Sequence, residues 1–105
     1  MNYTVTWLES ADADLERLFD FVLERELAKE DGDMNAPAEA IAAIRASVEM
    51  LRSFPFTCRK AEDSSFLREL VIPFARTGYV ALFEIVSNTE VVVSAIRHQR
   101  EDDYH

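Results

Sequence analysis

Three runs of apolar and β-branched residues close this chain, FLRELVI (66–72), YVALFEIV (79–86) and EVVVSAIRH (90–98), and the links between them are only six and three residues long. Links that short cannot carry a crossover helix, so neighbouring runs have to pair antiparallel and the second half of the chain reads as a meander. Asn88 falls in a tight connection suited to a hairpin, and Gly78 follows Arg76 and Thr77 where the chain must turn.

The first half follows other periods. Val5 and Trp7 alternate with threonines in TVTWL (4–8), which predicts a short half-buried strand at a sheet edge. Ser10 can accept a bond from an early helical N–H, and Asp12 and Asp14 complement the positive end of a helix that begins there. Leu15, Leu18, Phe19, Val22 and Leu27 recur at helical spacing, with Phe21 off that stripe and Gly32 as a stop. A second helix starts at Asn35 or Ala36 with Pro37 in its first turn, and Ile41, Ile44, Val48 and Leu51 form its buried face. The turn between the helices is a few residues long, so they should pack antiparallel. The expected fold is α+β, in the order β-α-α-β-β-β, with the helical hairpin packed on one face of a small twisted, mostly antiparallel sheet, and with residues 1–105 as a single domain.

Composition narrows the function classes. A hydrophobic fraction of 49% with only 2 Gly and 3 Pro is that of an ordered globular chain. Cys58 is the only cysteine, so no intrachain disulfide and no four-cysteine zinc site can form, which fits a reducing compartment. The start MNYTVTWLESAD lacks the basic and apolar regions of a signal peptide, and no apolar run is long enough to cross a bilayer, so the expectation is a soluble cytoplasmic protein without membrane association. The formal net charge of −9 argues against direct tight nucleic-acid binding, because a negative field repels a polyanion. Residues 1–52 hold 5 basic and 12 acidic side chains (net −7), whereas residues 53–105 hold 6 and 8 (net −2), so a cationic surface has to come from the second half.

Such a surface is in view at AIRHQRE (95–101), where Arg97, His98 and Arg100 end the last strand. Strand alternation sends Arg97 and His98 to opposite sides, and sets Arg68 against Glu69 in the same way. The sheet rim can therefore gather Arg76 from the turn, Arg68 or Arg97 from strands, and Arg100 from the tail. A solvated ion-pair surface accounts for the same arginines, and spacing leaves both readings open. His98 titrates in the range useful for acid or base work, and equally serves as a structural hydrogen-bonding group. The acids on the outer helix faces, Glu16, Asp20, Glu24, Glu39 and Glu49, read as solvated surface. No metal site and no cofactor is expected: Asp102 and Asp103 lack a framing ligand set, and there is no glycine-rich phosphate loop.

The stretch RELVIPFARTGYVALFEIVSNTEVVVSAIRHQREDDY resembles the signature region of the RelE/ParE toxin superfamily, and is most similar to ParE-type plasmid-stabilisation toxins. The residues that carry the likeness are Arg68, Glu69 and Leu70 with Pro73, then Arg76, Thr77, Gly78 and Tyr79, then Ala95 to Glu101 and Tyr104. The order of elements upstream agrees with that family's fold.

The resemblance implies the toxin component of a type II toxin–antitoxin system, ParE-like, inhibiting DNA gyrase and neutralised by a cognate antitoxin. It implies Arg68, Arg76, Arg97 and Arg100 as the target-contacting residues. It also implies an antitoxin segment that folds on binding, for which Glu16, Asp20, Phe21 and Glu24 are the candidate contacts, with Leu23 beside them. Two alternatives stand beside this reading. One is a RelE-like ribosome-dependent mRNA endonuclease, for which Arg76, Arg97, His98 and Tyr104 would supply cations, an acid and a base; the other is a non-toxic homologue kept as a binding partner. Against the nuclease, Val80 stands where an arginine often follows the turn tyrosine in RelE-like members, and the charge of −9 opposes docking on ribosomal RNA. The expectation is therefore a protein that is not an enzyme.

Overall fold

The point where helical period gives way to strand period divides the structure as well. The computed structural model describes residues 2–61, 64, 66–75 and 77–99. Strand β1 (Thr4–Trp7) leads into helix α1 (Glu9–Leu27), which returns through helix α2 (Ala36–Glu49). Two short 3-10 turns, Met50–Arg52 and Pro55–Thr57, then deliver the chain to β2 (Arg59–Lys60), β3 (Leu67–Phe74), β4 (Thr77–Ile85) and β5 (Glu90–His98). The sheet order is β1-β5-β4-β3-β2, with β1 parallel to β5 and every other pair antiparallel. The expected α+β architecture is present, with β1 at one edge and a two-residue strand, β2, added at the other.

One face of the sheet is the core. Leu70 and Ile72 of β3, Tyr79, Ala81 and Phe83 of β4, and Val91, Val93 and Ile96 of β5 are buried against Leu15, Leu18 and Val22 of α1 and Ile44 and Val48 of α2. Alternation places Val80 and Leu82 on the other face, across from Val71 and Glu69 of β3 and from Arg97 and Ala95 of β5. A register shift between Leu82 and Phe83 leaves Ser94 as the extra residue in β5.

Several sequence expectations change in detail. Phe19 and Leu27 are exposed, at 37% and 63%, and the buried stripe of α1 is completed by Ala11 and Glu26 instead. A carboxylate sits in that stripe because all its needs are met locally. Glu26 Oε2 accepts from Lys29 Nζ at 2.8 Å, with Arg25 Nε at 3.5 Å, and Oε1 accepts the backbone N–H of Asp33 at 3.0 Å. The Lys29 hydrogen bond, then the Asp33 N–H, hold the Glu26 carboxyl down at about 2, against the opposing effect of desolvation. Gly32 does not end α1, which stops at Leu27; a Cβ at Gly32 would lie 1.8 Å from the Glu26 carbonyl oxygen, so glycine is what allows the connection to close over the helix end. Gly78 is likewise not the turn residue. It lies inside β4, and the positive φ of the hairpin falls on Ala75, at 54°.

Candidate functional site

The end of β5 is held in an unusual way. β1 stops at Trp7, opposite Val93, so beyond that point β5 loses its parallel neighbour. The first turns of α1 take over the vacated edge. The Leu8 N–H donates to the Val93 carbonyl at 3.0 Å, the Ser10 hydroxyl donates to the Ser94 carbonyl at 2.6 Å, and the Ile96 N–H donates to Asp14 Oδ2 at 2.9 Å. Ser10 is thus a strand partner, not a helix cap; the N-cap position is Leu8, without a side-chain hydrogen bond. Backbone groups left exposed where a strand outlasts its neighbour are destabilising unless paired, and three contacts from Leu8 and the first turns of α1 satisfy them here.

Beyond this clamp, His98 and Arg97 part. His98 stays on the helix side with Ile96, opposite Tyr79 in the register, and its Nε2 lies 3.1 Å from the Thr77 hydroxyl. The Tyr79 ring meets it nearly perpendicular at 5.5 Å between centroids, and the Phe21 ring covers it from α1 at 6.3 Å. Burial pushes the Tyr79 phenol up, with the nearby Arg25 opposing. Arg97 is exposed on the opposite face, paired in register with Val80. The histidine and the arginine therefore share a strand end but no surface. Arg76, Arg100 and Tyr104 lie outside the described residues.

Arg68 is set apart from this end. It is on the helix side of β3, near the opposite end of the sheet, where Nη1 donates to the Cys58 carbonyl at 2.7 Å and the guanidinium covers the Phe56 ring at 5.2 Å. Its strand neighbour Glu69 faces the other way and is paired with Arg59.

The four candidate partner contacts on α1 divide as well. Glu16 and Asp20 join Asp12 along a crevice of about 640 Å³ between α1 and α2, whose apolar side is Leu15, Phe19 and Ile41. Arg45 lines its far wall, with its guanidinium 5.5 Å from the Trp7 ring. Phe21 lies on the other flank of α1, against His98, and Glu24 is exposed between the two. The crevice is not legible as such in the sequence, because Phe19 fits the core stripe by spacing; the outlying signal is that three acids, Asp12, Glu16 and Asp20, repeat every four residues along one flank of α1. Among the described residues no group of His, Cys, Asp or Glu is arranged to hold a metal ion, and no helix is long and apolar enough to cross a membrane.

An antiparallel helical pair on one face of a five-stranded mixed sheet, with the last strand clamped by the first helix, defines the structural class. The same fold is seen in a chromosomal ParDE toxin–antitoxin system from P. aeruginosa, with a TM-score of 0.72 at 18% sequence identity over 91% of this chain and 95% of that one. Residues 5–103 match the family model of the ParE toxin of the type II toxin–antitoxin system parDE, and the chain belongs to that family. No curated protein sequence matches it.

Proposed function

We propose that this ParE-type toxin acts by binding, as an inhibitor of DNA gyrase in the cytoplasm, and that a cognate antitoxin neutralises it. Membership of the ParE toxin family over residues 5–103 carries this reading. The target contact is assigned to the cationic end of β5, Arg97 together with Arg76 and Arg100, in a chain with 20 acidic against 11 basic side chains. Arg68, distant and on the other side of the sheet, is left out of that group.

The antitoxin contact is assigned to the α1 surface. The crevice between the helices offers an apolar side of Leu15, Phe19 and Ile41 under an acidic wall of Asp12, Glu16 and Asp20. That combination fits an amphipathic segment with apolar anchors and flanking Lys or Arg, and Phe21 and Glu24 extend the contact over the top of α1. A binding mode of action is favoured over RNA cleavage by one geometric point. Of the residues a nuclease would use, Arg97 and His98 lie on opposite faces, and His98 is engaged by Thr77 under Phe21. A base and a phosphorane-stabilising cation have to reach one phosphate together.

Purified gyrase assayed for supercoiling with and without this protein tests the target: loss of supercoiling is expected, reduced by Arg97→Ala combined with Arg100→Ala. Codon-phased mRNA cuts with supercoiling intact would turn the assignment to the nuclease, and growth unaffected on induction would turn it to a non-toxic homologue. For the antitoxin arm, Glu16→Lys with Asp20→Lys should weaken the complex by about tenfold or more, mainly through faster dissociation.

A further inference from the structure

The end of the sheet farthest from Arg97 has a feature the toxin reading does not use. Phe54, Phe56 and Phe66 are exposed there at 59%, 62% and 72%. Phe56 and Phe66 line a cleft of about 250 Å³ together with Lys60, Arg68, Glu84 and Ile85. Most described cations elsewhere are paired with an acid, Arg45 over the Trp7 ring being an exception. Arg17 is paired with Asp14, Arg25 and Lys29 with Glu26, Arg52 with Glu49, and Arg59 with Glu69. Lys60 and Arg68 have no carboxylate partner among the described residues, in a chain with 20 acidic against 11 basic side chains and with Glu84 in the same cleft.

We infer that this cleft is a docking site for a short acidic peptide segment carrying one aromatic or branched apolar side chain. The apolar side chain enters between Phe56 and Phe66, and a neighbouring carboxylate is taken by Arg68 and Lys60. Arg68 is already held in place to receive it. One N–H is bonded to the Cys58 carbonyl and the guanidinium lies over the Phe56 ring, so little side-chain entropy remains to be lost when the rest of the fork meets a carboxylate. A cleft of about 250 Å³ is below the roughly 300–1,000 Å³ of sites for whole small ligands, and matches a single anchoring side chain. β2 is the last strand of the sheet, only two residues long and with Lys60 beside the Glu69-paired Arg59, and so short and charged an edge disfavours edge-to-edge pairing of two copies and leaves a heterologous partner. A segment with one or two carboxylates is favoured over a nucleic acid because the −9 field of the protein acts on every phosphate of a polyanion, whereas locally placed carboxylates lie within a Debye length of about 8 Å of the two cations. The surface is separate from both the α1–α2 crevice and the end of β5.

The test is an amide-resonance titration of the isotope-labelled full chain with three probes: the blocked tetrapeptide Glu-Phe-Asp-Gly, its counterpart Lys-Phe-Lys-Gly, and a thymidine dinucleotide. The acidic peptide should give saturable shifts at Phe56, Lys60, Phe66 and Arg68 that weaken with added salt. Arg68→Gln and Phe66→Ser should each weaken binding by about tenfold, with resonances in α1 and β5 unmoved as the control for folding. Absence of saturable shifts at these residues, equal binding of the basic peptide, preferential binding of the dinucleotide, or full binding by both variants would overturn the inference.

Discussion

The two ends of the sheet are finished in opposite ways. Where β5 stops, unpaired backbone groups are met by Leu8, Ser10 and Asp14, His98 is bonded to Thr77, and the nearby end of α1 is closed by Glu26 with Lys29 and Asp33. Where β3 begins, two cations have no carboxylate partner among the described residues and three phenylalanines face solvent. Among the described residues, the first end meets its strand-end backbone groups and His98 inside the molecule, and that part of it should appear as stability. The second leaves polar and apolar groups open to a partner, and its contribution should appear as binding. At the first end Arg97 faces solvent, and that is where a target contact is assigned.

The largest effect that separates the two ends is expected at Gly78. A Cβ there would sit 2.4 Å from the Ile72 carbonyl oxygen and 3.1 Å from Gln99 Oε1, and the nearer atom is backbone that cannot swing aside. Gly78→Ala should therefore cost about 2 kcal/mol or more, read as a fall in the denaturation midpoint at unchanged slope. A cost below about 0.5 kcal/mol would mean the hairpin yields freely and this end is not tightly built. Asp14→Ala should follow at about 1–2 kcal/mol, because the Ile96 N–H loses its acceptor where no strand replaces it, and Asp14→Asn, which keeps an acceptor, should recover more than half of that. On a chain of this size such losses lower the melting temperature by roughly 4–8 °C per kcal/mol.

The acid range offers a more gradual contrast. The Glu26 carboxyl, ordinarily near 4.5, is held at about 2 in the folded chain, first by Lys29 and then by the Asp33 N–H. Between those values the unfolded chain binds the proton more readily than the folded one. The stabilisation is thus complete above about 4.5, erodes as pH falls and is gone once pH passes about 2. Urea unfolding from pH 6 to about 2 should show this decline in the parent, and Glu26→Gln should flatten it. An equal slope in both proteins would mean that other carboxylates govern acid stability.

How much of this can be read from the sequence depends on the range of the interactions. The three long strands, the helical pair and the opposed directions of Arg97 and His98 follow from local period, and all are present. Local period misplaces Phe19, Leu27, Ser10 and Gly78 because their roles are fixed by partners far along the chain or by close packing: Ser10 answers to Ser94, and Gly78 to Ile72. Glu26 fits the spacing of a buried stripe but is the wrong residue type for one, and only the return of the chain at Asp33 makes it acceptable there. The strand-end arginines are singled out by their motif, though of them only Arg97 lies among the described residues, whereas the cleft at Phe56 and Phe66 combines three separate segments and has no local signature.

The smallest effect on stability, and the one that most sharpens the contrast, belongs to Phe66→Ser. At 72% exposure the ring has little left to lose on truncation, since the burial term scales with area removed from water and most of this ring never leaves it. Its backbone N–H lies 3.1 Å from the Ser64 hydroxyl, a contact the substitution retains. The expected change is within about 0.5 kcal/mol, against about 1–2 for Asp14→Ala at the other end. An exposed ring that can be removed without loss of stability is not kept in place by the fold. Should Phe66→Ser instead unfold the chain as readily as Asp14→Ala, the aromatic end would be part of the core after all, and the division between a stabilising end and a binding end would fail.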